Sequence, residues 1–367
     1  MPPSDRSILE RRLRKYVPLN GEDPTEQGGI RHFLQSFFTV LPDDGKKNLA
    51  DNIARCNTDA ELRQQVDSIR TGLLYPLRAL GGKTPSEITP APRAGVEDSI
   101  EELRSLNVRP ITRGPQAQLR DHCLERDGYR CVVTGQYSSK HRHPPNSITT
   151  ILQAAHIIPF ALGSFNVDNS EPINRNAIIW VNLRRYFPVL RAMAADQQII
   201  NHESNVLMLD PVTHLEFGQF HIILEATSVT HQYHVKAFPN AATNPLTYLS
   251  NDRLIKFKNH AGHWSLPDPA LIQVHASIGN FLHMVGMAEL LDKIVDDYDD
   301  CGGLNPNGST NIADMLALKG LSRRVPNSLK PAFRKSSEEM LKKDLEGKEH
   351  KNYPRTTSPG ENNQPNY

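Results

Sequence analysis

The chain has 367 residues, enough for two or three domains, and its 38% hydrophobic content is typical of a protein with a buried core. Its 42 basic and 41 acidic residues leave a formal net charge of +1, so any basic surface for nucleic acid must be local. No apolar run is long enough to span a bilayer, and the polar start MPPSDRSILERRLRKY lacks a signal-peptide pattern.

The cysteines are few and scattered, at Cys56, Cys123, Cys131 and Cys301, and none forms a C-x-x-C pair. Secreted proteins of small size use cysteines in even, closely spaced sets for disulfides, whereas reducing compartments favour isolated thiols. The usage therefore predicts an intracellular protein, cytoplasmic or nuclear, without a cysteine-based zinc site.

The first region, residues 1–80, is predicted to be helical. Apolar residues recur at helical spacing over 30–41 and are followed by Pro42. Thr58 and Glu61 are spaced as a capping box that opens a second amphipathic helix. The two helices are expected to pack on each other, with a partner-docking face as the alternative use of their apolar stripes.

A glycine- and proline-rich linker with a short polar helix is predicted over 81–115. The next distinctive stretch, RDGYRCVVTG at 126–135, contains a turn signal at Asp127-Gly128 and a strand-like run over 129–133. A second apolar and partly β-branched run at 151–158 predicts another strand. Between the two runs lies a polar loop, which carries Lys140 and Arg142.

The second half of the chain alternates helical and strand signals. Asp210 precedes Pro211 as a cap at an ordinary junction from a short strand to a helix. Asp268-Pro269 is a second clear helix start. The remaining predictions are an insert helix over 172–190, a hairpin formed by 220–226 and 232–238, continuation of the Asp268-Pro269 helix to about Val295, and a mostly disordered tail over 321–367.

Two separated stretches place histidine and asparagine in a chemically meaningful order. LQAAHIIPF carries His156 near the end of an apolar strand, and NVLMLDPVTH carries Asn205 and His214 across a strand-to-helix junction. Phosphodiester hydrolysis needs an activated water and a divalent ion at the phosphate. A neutral histidine is a suitable base near pH 7, a second can hold the ion, and an asparagine can fix the loop between them.

Together, RDGYRCVVTG, AAHIIPF and NVLMLDPVTH followed by LEFGQF resemble the HNH endonuclease superfamily over about residues 116–238. The resemblance is closest to its zinc-ribbon-free branch, as found in fungal HNH nuclease domain proteins. It implies an α+β protein with a ββα-metal core and an inserted helix. The expected divisions are a helical region at 1–80, a linker at 81–115, the HNH-type domain at 116–240, a helical region at 241–320 and the tail at 321–367.

The resemblance also implies residue roles. His156 would be the general base, Asn205 the positioning residue and His214 a metal ligand, with Asp210 one turn earlier assisting. The expected ion is Mg²⁺, with Mn²⁺, Ni²⁺ or Zn²⁺ left open. The implied partner is nucleic acid, DNA rather than RNA, with no membrane.

This sequence departs from the pattern of many family members in two respects. The four positions that hold a structural zinc in many members are Cys131, Thr134, Asp210 and Thr213 here, so no zinc ribbon is expected. Ala155 and Gly218 also stand where many active members place a further metal ligand.

Other basic and histidine residues have competing interpretations. Arg184 and Arg185 on the insert helix, like Lys140 and Arg142 in the polar loop, are predicted phosphate contacts, with a solvated surface as the alternative. His141 and His143 fit a solvated loop better than a metal pair, and His275 and His283 fit helix packing.

Three functions are thus left open. The first is a metal-dependent endonuclease that hydrolyses phosphodiester bonds in DNA. The second is an HNH-like module that binds nucleic acid or a protein but cuts weakly or not at all, as Ala155 and Gly218 favour. The third is an interaction protein that docks a partner through its helical flanks.

Overall fold

The structure is a computed structural model that describes residues 4–19, 29–78, 88–92, 113–159, 162, 170–193 and 200–292. Most of the predicted linker at 81–115 and the whole predicted tail at 321–367 lie outside these ranges. In the described ranges, no helix has the length and apolar content needed to cross a membrane.

The N-terminal helices confirm the local signals in their sequence. Thr58 caps a helix by accepting a hydrogen bond from the Glu61 backbone at 3.2 Å, and the Glu61 carboxylate accepts one from the Thr58 backbone at 3.0 Å. The elements are α1 (Asp5–Arg14), α2 (Ile30–Val40), α3 (Asp43–Arg55), α4 (Asp59–Ile69), a π-helical turn (Arg70–Leu74) and α5 (Tyr75–Arg78).

The apolar stripe of α2 is buried within the chain itself. Phe33 and Phe37 are fully buried, and their rings pack at 4.9 and 5.0 Å from the ring of Phe281, which belongs to the C-terminal helix. The α2 helix also packs on α4, as its apolar spacing predicted. This stripe therefore builds the core and offers no open docking face.

The middle of the chain supplies two small strand pairs and the helices around them. The elements are α6 (Arg113–Arg126), β1 (Tyr137–Ser138), β2 (Thr149–Thr150), β3 (Gln153–His156), α7 (Ser170–Tyr186), α8 (Leu190–Met193), a 3-10 turn (Glu203–Asn205), β4 (Val206–Leu209) and α9 (Pro211–Gly218). β1 and β2 are parallel, whereas β3 and β4 are antiparallel, with His156 opposite Val206 and Gln153 opposite Leu209.

The strand predicted over 129–133 is wrong, because the chain turns there. Gly128 has a φ of +64° and Tyr129 a φ of +57°, so both adopt the left-handed conformation that ends extended structure. The Cys131 amide then bonds the Gln136 carbonyl at 2.8 Å, and Gly135 closes back on Cys131 at 2.9 Å. We call residues 127–135 the knuckle.

The insert helix α7 connects the central strands to the N-terminal helices. Trp180 donates its indole N–H to the Leu162 carbonyl at 3.0 Å. Asn182 donates to the Gly72 carbonyl at 3.2 Å, and a Cβ at Gly72 would lie 2.5 Å from that amide nitrogen. The close approach of α7 to the π-helical turn therefore requires glycine at position 72.

The C-terminal part forms a three-stranded antiparallel sheet covered by a helix. The predicted hairpin is confirmed as β5 (Ile222–Ala226) and β6 (Gln232–Ala237), and β7 (Leu254–Lys256) adds an unpredicted third strand. The helix α10 (Pro269–Met284) packs on β5 and starts at the predicted Asp268 cap. It ends at Met284, because Gly286 turns left-handed at a φ of +67°, and helical backbone resumes over 287–292, while Val295 lies outside the described residues.

A buried ionic network joins α9, β5 and the two helical regions. His221 is 7% exposed, and its two ring nitrogens lie 3.1 Å from Glu216 Oε2 and 2.8 Å from Asp292 Oδ2. Asp292 also pairs with the buried Arg78. Burial alone would lower the pKa of His221, but the hydrogen bond and charge of Asp292, followed by the charge of Glu216, raise it above 6.5.

This network predicts a defined pH window of stability. A raised folded pKa means that His221 stabilises fully below its ordinary pKa of 6.5, and that the contribution is lost as pH rises through the folded pKa. Asp292, whose pKa is held below 3.8 against burial by His221 and Arg78, loses its contribution as pH falls through that lower pKa. The free energy of unfolding should therefore fall more between about pH 5.5 and about pH 8.5 in wild type than in His221→Gln.

The matched control is His143→Gln, because His143 is exposed and bonds only a neighbouring carbonyl. Urea unfolding at the two pH values should show the wild-type pH dependence in this variant. An unchanged pH dependence in His221→Gln would contradict the prediction.

Candidate functional site

The unit β3–β4–α9 brings the three residues singled out by sequence to one place. His156 is the last residue of β3 and lies opposite Val206, the first residue of β4. Asn205 immediately precedes β4 in a 3-10 turn. His214 lies on α9, which follows β4 after the single residue Asp210 and packs on β3.

Asn205 fixes the backbone just beyond His156. It is fully buried, and its Oδ1 accepts from the Ile158 amide at 2.8 Å while its Nδ2 donates to the Ile158 carbonyl at 3.0 Å. Nδ2 also donates to the Ile200 carbonyl at 3.1 Å. All the polar atoms of the amide are thus used to hold two loop segments, which is a positioning role.

His214 is oriented by a residue on the neighbouring strand. Its Nδ1–H donates to Gln153 Oε1 at 2.7 Å. Because that bond places the proton on Nδ1, the lone pair of Nε2 is available to a metal ion. Burial lowers the pKa of His214, which keeps the ring neutral at pH 7 as a ligand must be.

His156 is half-buried, and its Nε2 atom is shielded from solvent. Burial, followed by the charge of His214, lowers the pKa of His156 to about 4, and a hydrogen bond from the ring to the Asn201 side chain acts in the opposite direction. The ring is therefore neutral at pH 7 and able to accept a proton.

In the part of the chain that the structure describes, no carboxylate joins these histidines in a metal cluster. Among the described residues, no three His, Cys, Asp or Glu side chains form a group that could hold an ion. Glu216 is buried and bonds His221 and the Ala242 amide. Glu203 bonds His122 Nδ1 at 2.8 Å. A metal at this site would thus meet a single imidazole from the described chain, with waters and phosphate oxygens completing its shell.

Asp210 is occupied as a structural hub. Its Oδ1 accepts from the Val212 and Thr213 amides at 3.1 and 3.0 Å, which caps α9. Its Oδ2 accepts from Thr213 Oγ1 at 2.6 Å, Thr134 Oγ1 at 3.2 Å and Cys131 Sγ at 3.3 Å. Five protein donors compete for this buried carboxylate, so we leave Asp210 out of the metal set proposed below.

The same contacts bring together Cys131, Thr134, Asp210 and Thr213, the four positions where the resemblance implies a zinc ribbon in other members. Here they form a hydrogen-bonded cluster that fastens the knuckle to the start of α9. Burial, followed by the charge of Asp210, raises the pKa of the Cys131 thiol to about 11, so the group is a neutral donor and not a thiolate ligand.

Replacing Asp210 by alanine should therefore cost about 2–3 kcal/mol of stability, because it removes a helix cap and leaves buried hydroxyl donors unsatisfied. Urea unfolding measures the loss. The matched control is Asp268→Ala, since Asp268 caps α10 through the Ala270 amide but serves no buried cluster, and about 1 kcal/mol is expected there. Equal losses in the two variants would contradict the hub role.

The predicted phosphate contacts are placed in two different settings. Arg185 donates to Asn52 Oδ1 at 2.9 Å and to the Asn48 carbonyl at 3.3 Å, which commits it to the contact between α7 and α3. Its neighbour Arg184 is half-buried on the same helix. Lys140 and Arg142 are exposed on the loop after β1 and stay predicted contacts.

Two further histidines singled out by sequence, His275 and His283, serve packing. His275 is buried between the rings of Phe217 at 3.7 Å and Phe220 at 4.4 Å, and burial lowers its pKa to about 3. His283 stacks on Phe238 at 3.6 Å. His141 bonds Ser138 Oγ at 2.9 Å and His143 is exposed, and neither is part of a group of three potential metal ligands among the described residues.

Sequence reasoning missed the two residues that orient the histidines. Gln153 contacts His214 only because the register places it opposite Leu209, just before the turn into α9. Asn201 contacts His156 from a loop that no local pattern marks. The polar residue at the start of β3 was a usable signal for Gln153, but only once the pairing with β4 is known.

The unit β3–β4–α9 thus combines two antiparallel strands followed by a helix, with His156 on the first strand, Asn205 just before the second and His214 on the helix. Residues 131–225, about a quarter of the chain, match the family model described as HNH endonuclease. The match supports membership of this segment in the HNH superfamily. The chain matches no curated protein and no solved structure. The fungal, zinc-ribbon-free branch stays a prediction.

Proposed function

We propose that this protein is a metal-dependent endonuclease that hydrolyses phosphodiester bonds in DNA through a ββα-metal site. The observation that carries the proposal is the convergence of His156, Asn205 and His214 on one strand–strand–helix unit inside a segment of the HNH family. The mixed helical and sheet architecture around it is compatible with such a domain.

In this proposal His156 takes the proton of the attacking water. Its neutral state at pH 7 makes a lone pair available, and because Nε2 is shielded, Nδ1 is the nitrogen that receives the proton. Asn205 bonds the backbone at Ile158, two residues after His156, and so fixes the position of the chain that carries the His156 ring. The Asn201 side chain provides a further hydrogen-bond partner for the ring.

His214 would hold the divalent ion, with Gln153 fixing its tautomer. A bound ion supplies positive charge that stabilises the negative charge developing on the phosphate. Mg²⁺ suits a site that leaves most coordination positions to water and phosphate oxygens, and Mn²⁺, Ni²⁺ or Zn²⁺ would suit an imidazole ligand. The single imidazole predicts weak ion binding in the absence of DNA.

The second candidate function is an HNH-like module that binds nucleic acid or a protein and cuts weakly or not at all. It is favoured by the lack of any three-residue ligand group among the described residues and by the shielding of His156 Nε2. Both candidates require the same fold, so only activity separates them.

The test is nicking of supercoiled plasmid by the purified full chain with added Mg²⁺, Mn²⁺ or Ni²⁺ and with chelator. Nicking should depend on the added ion and stop in chelator. His214→Ala should raise the ion concentration for half-maximal nicking at least about tenfold, because the ligand is lost.

Gln153→Ala should shift the ion requirement in the same direction by a smaller factor, since it removes only the group that orients His214. His143→Ala, which removes an exposed histidine outside the site, is the matched control. DNA binding without ion-dependent nicking would favour the second candidate.

A further inference from the structure

A groove with positive side chains lies between the knuckle and β7, apart from the histidine site. It encloses about 310 Å³, and its basic lining residues are Arg130, Lys256, Lys258 and His260. We call it the basic groove. Lys256 and Lys258 are exposed, while the alternate residues Ile255 and Phe257 face the core. Successive side chains of an extended chain point to opposite faces, so both lysines lie on the face of β7 and its continuation that is away from the core.

The charges of the basic groove are not neutralised within the described chain. The salt bridges among the described residues include no carboxylate partner for Arg130, Lys256 or Lys258. Asp127 also lines the groove, but both its oxygens are bonded by the buried Arg126, and Oδ2 accepts from the Met208 amide as well. The net field in the groove is therefore positive.

The Arg130 side chain is oriented by two neighbouring rings. Its guanidinium donates to His260 Nε2 at 2.7 Å and lies 5.8 Å from the centre of the Tyr137 ring. His260 is itself anchored by its amide, which bonds the Arg126 carbonyl at 2.8 Å. Gly128 leaves room for this ring, because a Cβ there would lie 2.9 Å from it. The contacts with His260 and the Tyr137 ring restrict the conformations of the Arg130 side chain, which lowers the entropy cost of binding a ligand.

The positive charges of the basic groove also affect the pKa of His260. Burial, followed by the charges of Arg130 and Lys258, lowers its pKa. Accepting a hydrogen bond from one cation while facing another is unfavourable for a protonated imidazole, so the ring stays neutral and serves as a strut for Arg130. An anion in the groove would relieve the repulsion among these groups.

The basic groove and the histidine site flank the same strand. The Met208 carbonyl accepts from the knuckle residue Val132 at 3.0 Å on one edge of β4, while β3 pairs along the other edge. With strands about 4.8 Å apart, the knuckle and β3 are separated by about 10 Å. Each strand of a duplex has one phosphate per about 3.4 Å of axis, so this distance corresponds to a few nucleotides.

We infer that the basic groove binds backbone phosphates of nucleic acid a few nucleotides away from the phosphate at His156. The inference rests on the proposed function for the choice of ligand. Arg130, Lys256 and Lys258 supply the charge, and His260 positions Arg130. Such contacts carry no base sequence, so they fix the register of the substrate on the site and add affinity independent of sequence.

The test is binding of two labelled DNA duplexes of different sequence, about 20 base pairs long, to the full chain in chelator from about 50 to 200 mM salt. Fluorescence anisotropy gives the slope of log affinity against log salt. Lys256→Gln combined with Lys258→Gln should reduce the slope by about 2 and weaken both duplexes about tenfold or more. Both lysines are exposed, so thermal unfolding should be unchanged.

The control combines Lys15→Gln with Lys47→Gln, which removes the same charge from two exposed positions on the N-terminal helices. It should keep the wild-type slope. Wild-type slope in the groove variant, or no DNA binding by wild type, would overturn the inference. The inference would also be overturned if the groove variant lost its binding to polyglutamate by the same factor as its binding to DNA. That result would mean that the groove binds acidic chains in general and not nucleic acid in particular. Binding is measured in chelator, without divalent ions, so absent nicking would overturn the nuclease proposal alone.

Discussion

Replacing His156 by alanine should lower the rate of ion-dependent plasmid nicking by about 10²–10⁴-fold, because the proposed proton acceptor is removed. The ring is half-buried, and Asn205, Gln153 and His214 keep their own contacts in the variant. The variant should therefore fold and bind DNA in chelator like wild type. Single-turnover nicking with excess protein isolates the chemical step from product release.

His143→Ala is the matched control for this experiment, since it removes an exposed imidazole whose Nδ1 contacts only the Pro144 carbonyl. Its nicking rate should equal that of wild type. If His156→Ala nicks plasmid as fast as wild type, His156 is not the base. If the rate falls in proportion to a loss of DNA affinity, its role is in binding and not in proton transfer.

Local sequence signals predicted those elements whose cause is local. The Thr58–Glu61 capping box, the Asp210 cap and the Asp268-Pro269 helix start each depend on residues within one helical turn, and all three are present. Such signals depend on bonds between near neighbours, so they need no knowledge of the fold.

The strand predicted over 129–133 failed because its conformation is set from a distance. The aromatic and β-branched residues there suit a strand, but the left-handed Gly128 and Tyr129 turn the chain. That turn is tied to the buried Arg126–Asp127 pair and to Met208, which is 81 residues beyond Asp127. No local pattern encodes these partners.

In the candidate site, too, some features could be predicted from the sequence and others depend on distant contacts. The residue types and order of His156, Asn205 and His214 could be predicted from the sequence, because all three residues stand in the motifs that carry the family resemblance. The groups that complete their environment could not be predicted, since Gln153 reaches His214 through the register of β3 with β4. Asp210 likewise looked available as a ligand until Cys131 and Thr134, more than 70 residues away, proved to bond it.

Replacing Asp127 by alanine should destabilise the protein by about 3–5 kcal/mol, because it leaves the charge of Arg126 buried and uncompensated. Arg126 is 0% exposed and donates to both oxygens of Asp127 at 2.6 and 2.8 Å. It also donates to the Glu203 carbonyl at 2.6 Å and to the Val206 carbonyl at 2.8 Å. The loss would therefore loosen α6, the turn before Asn205 and the start of β4 together.

Urea unfolding measures this loss, and Asp59→Ala is the matched control because the Arg12–Asp59 pair is partly exposed. About 1 kcal/mol or less is expected for the control, since solvent screens such pairs. A double variant that changes Arg126→Met and Asp127→Leu should lose less than Asp127→Ala, because no charge then stays buried. If the single variant loses no more than the control, solvent reaches Arg126 and the pair does not organise the centre of the domain.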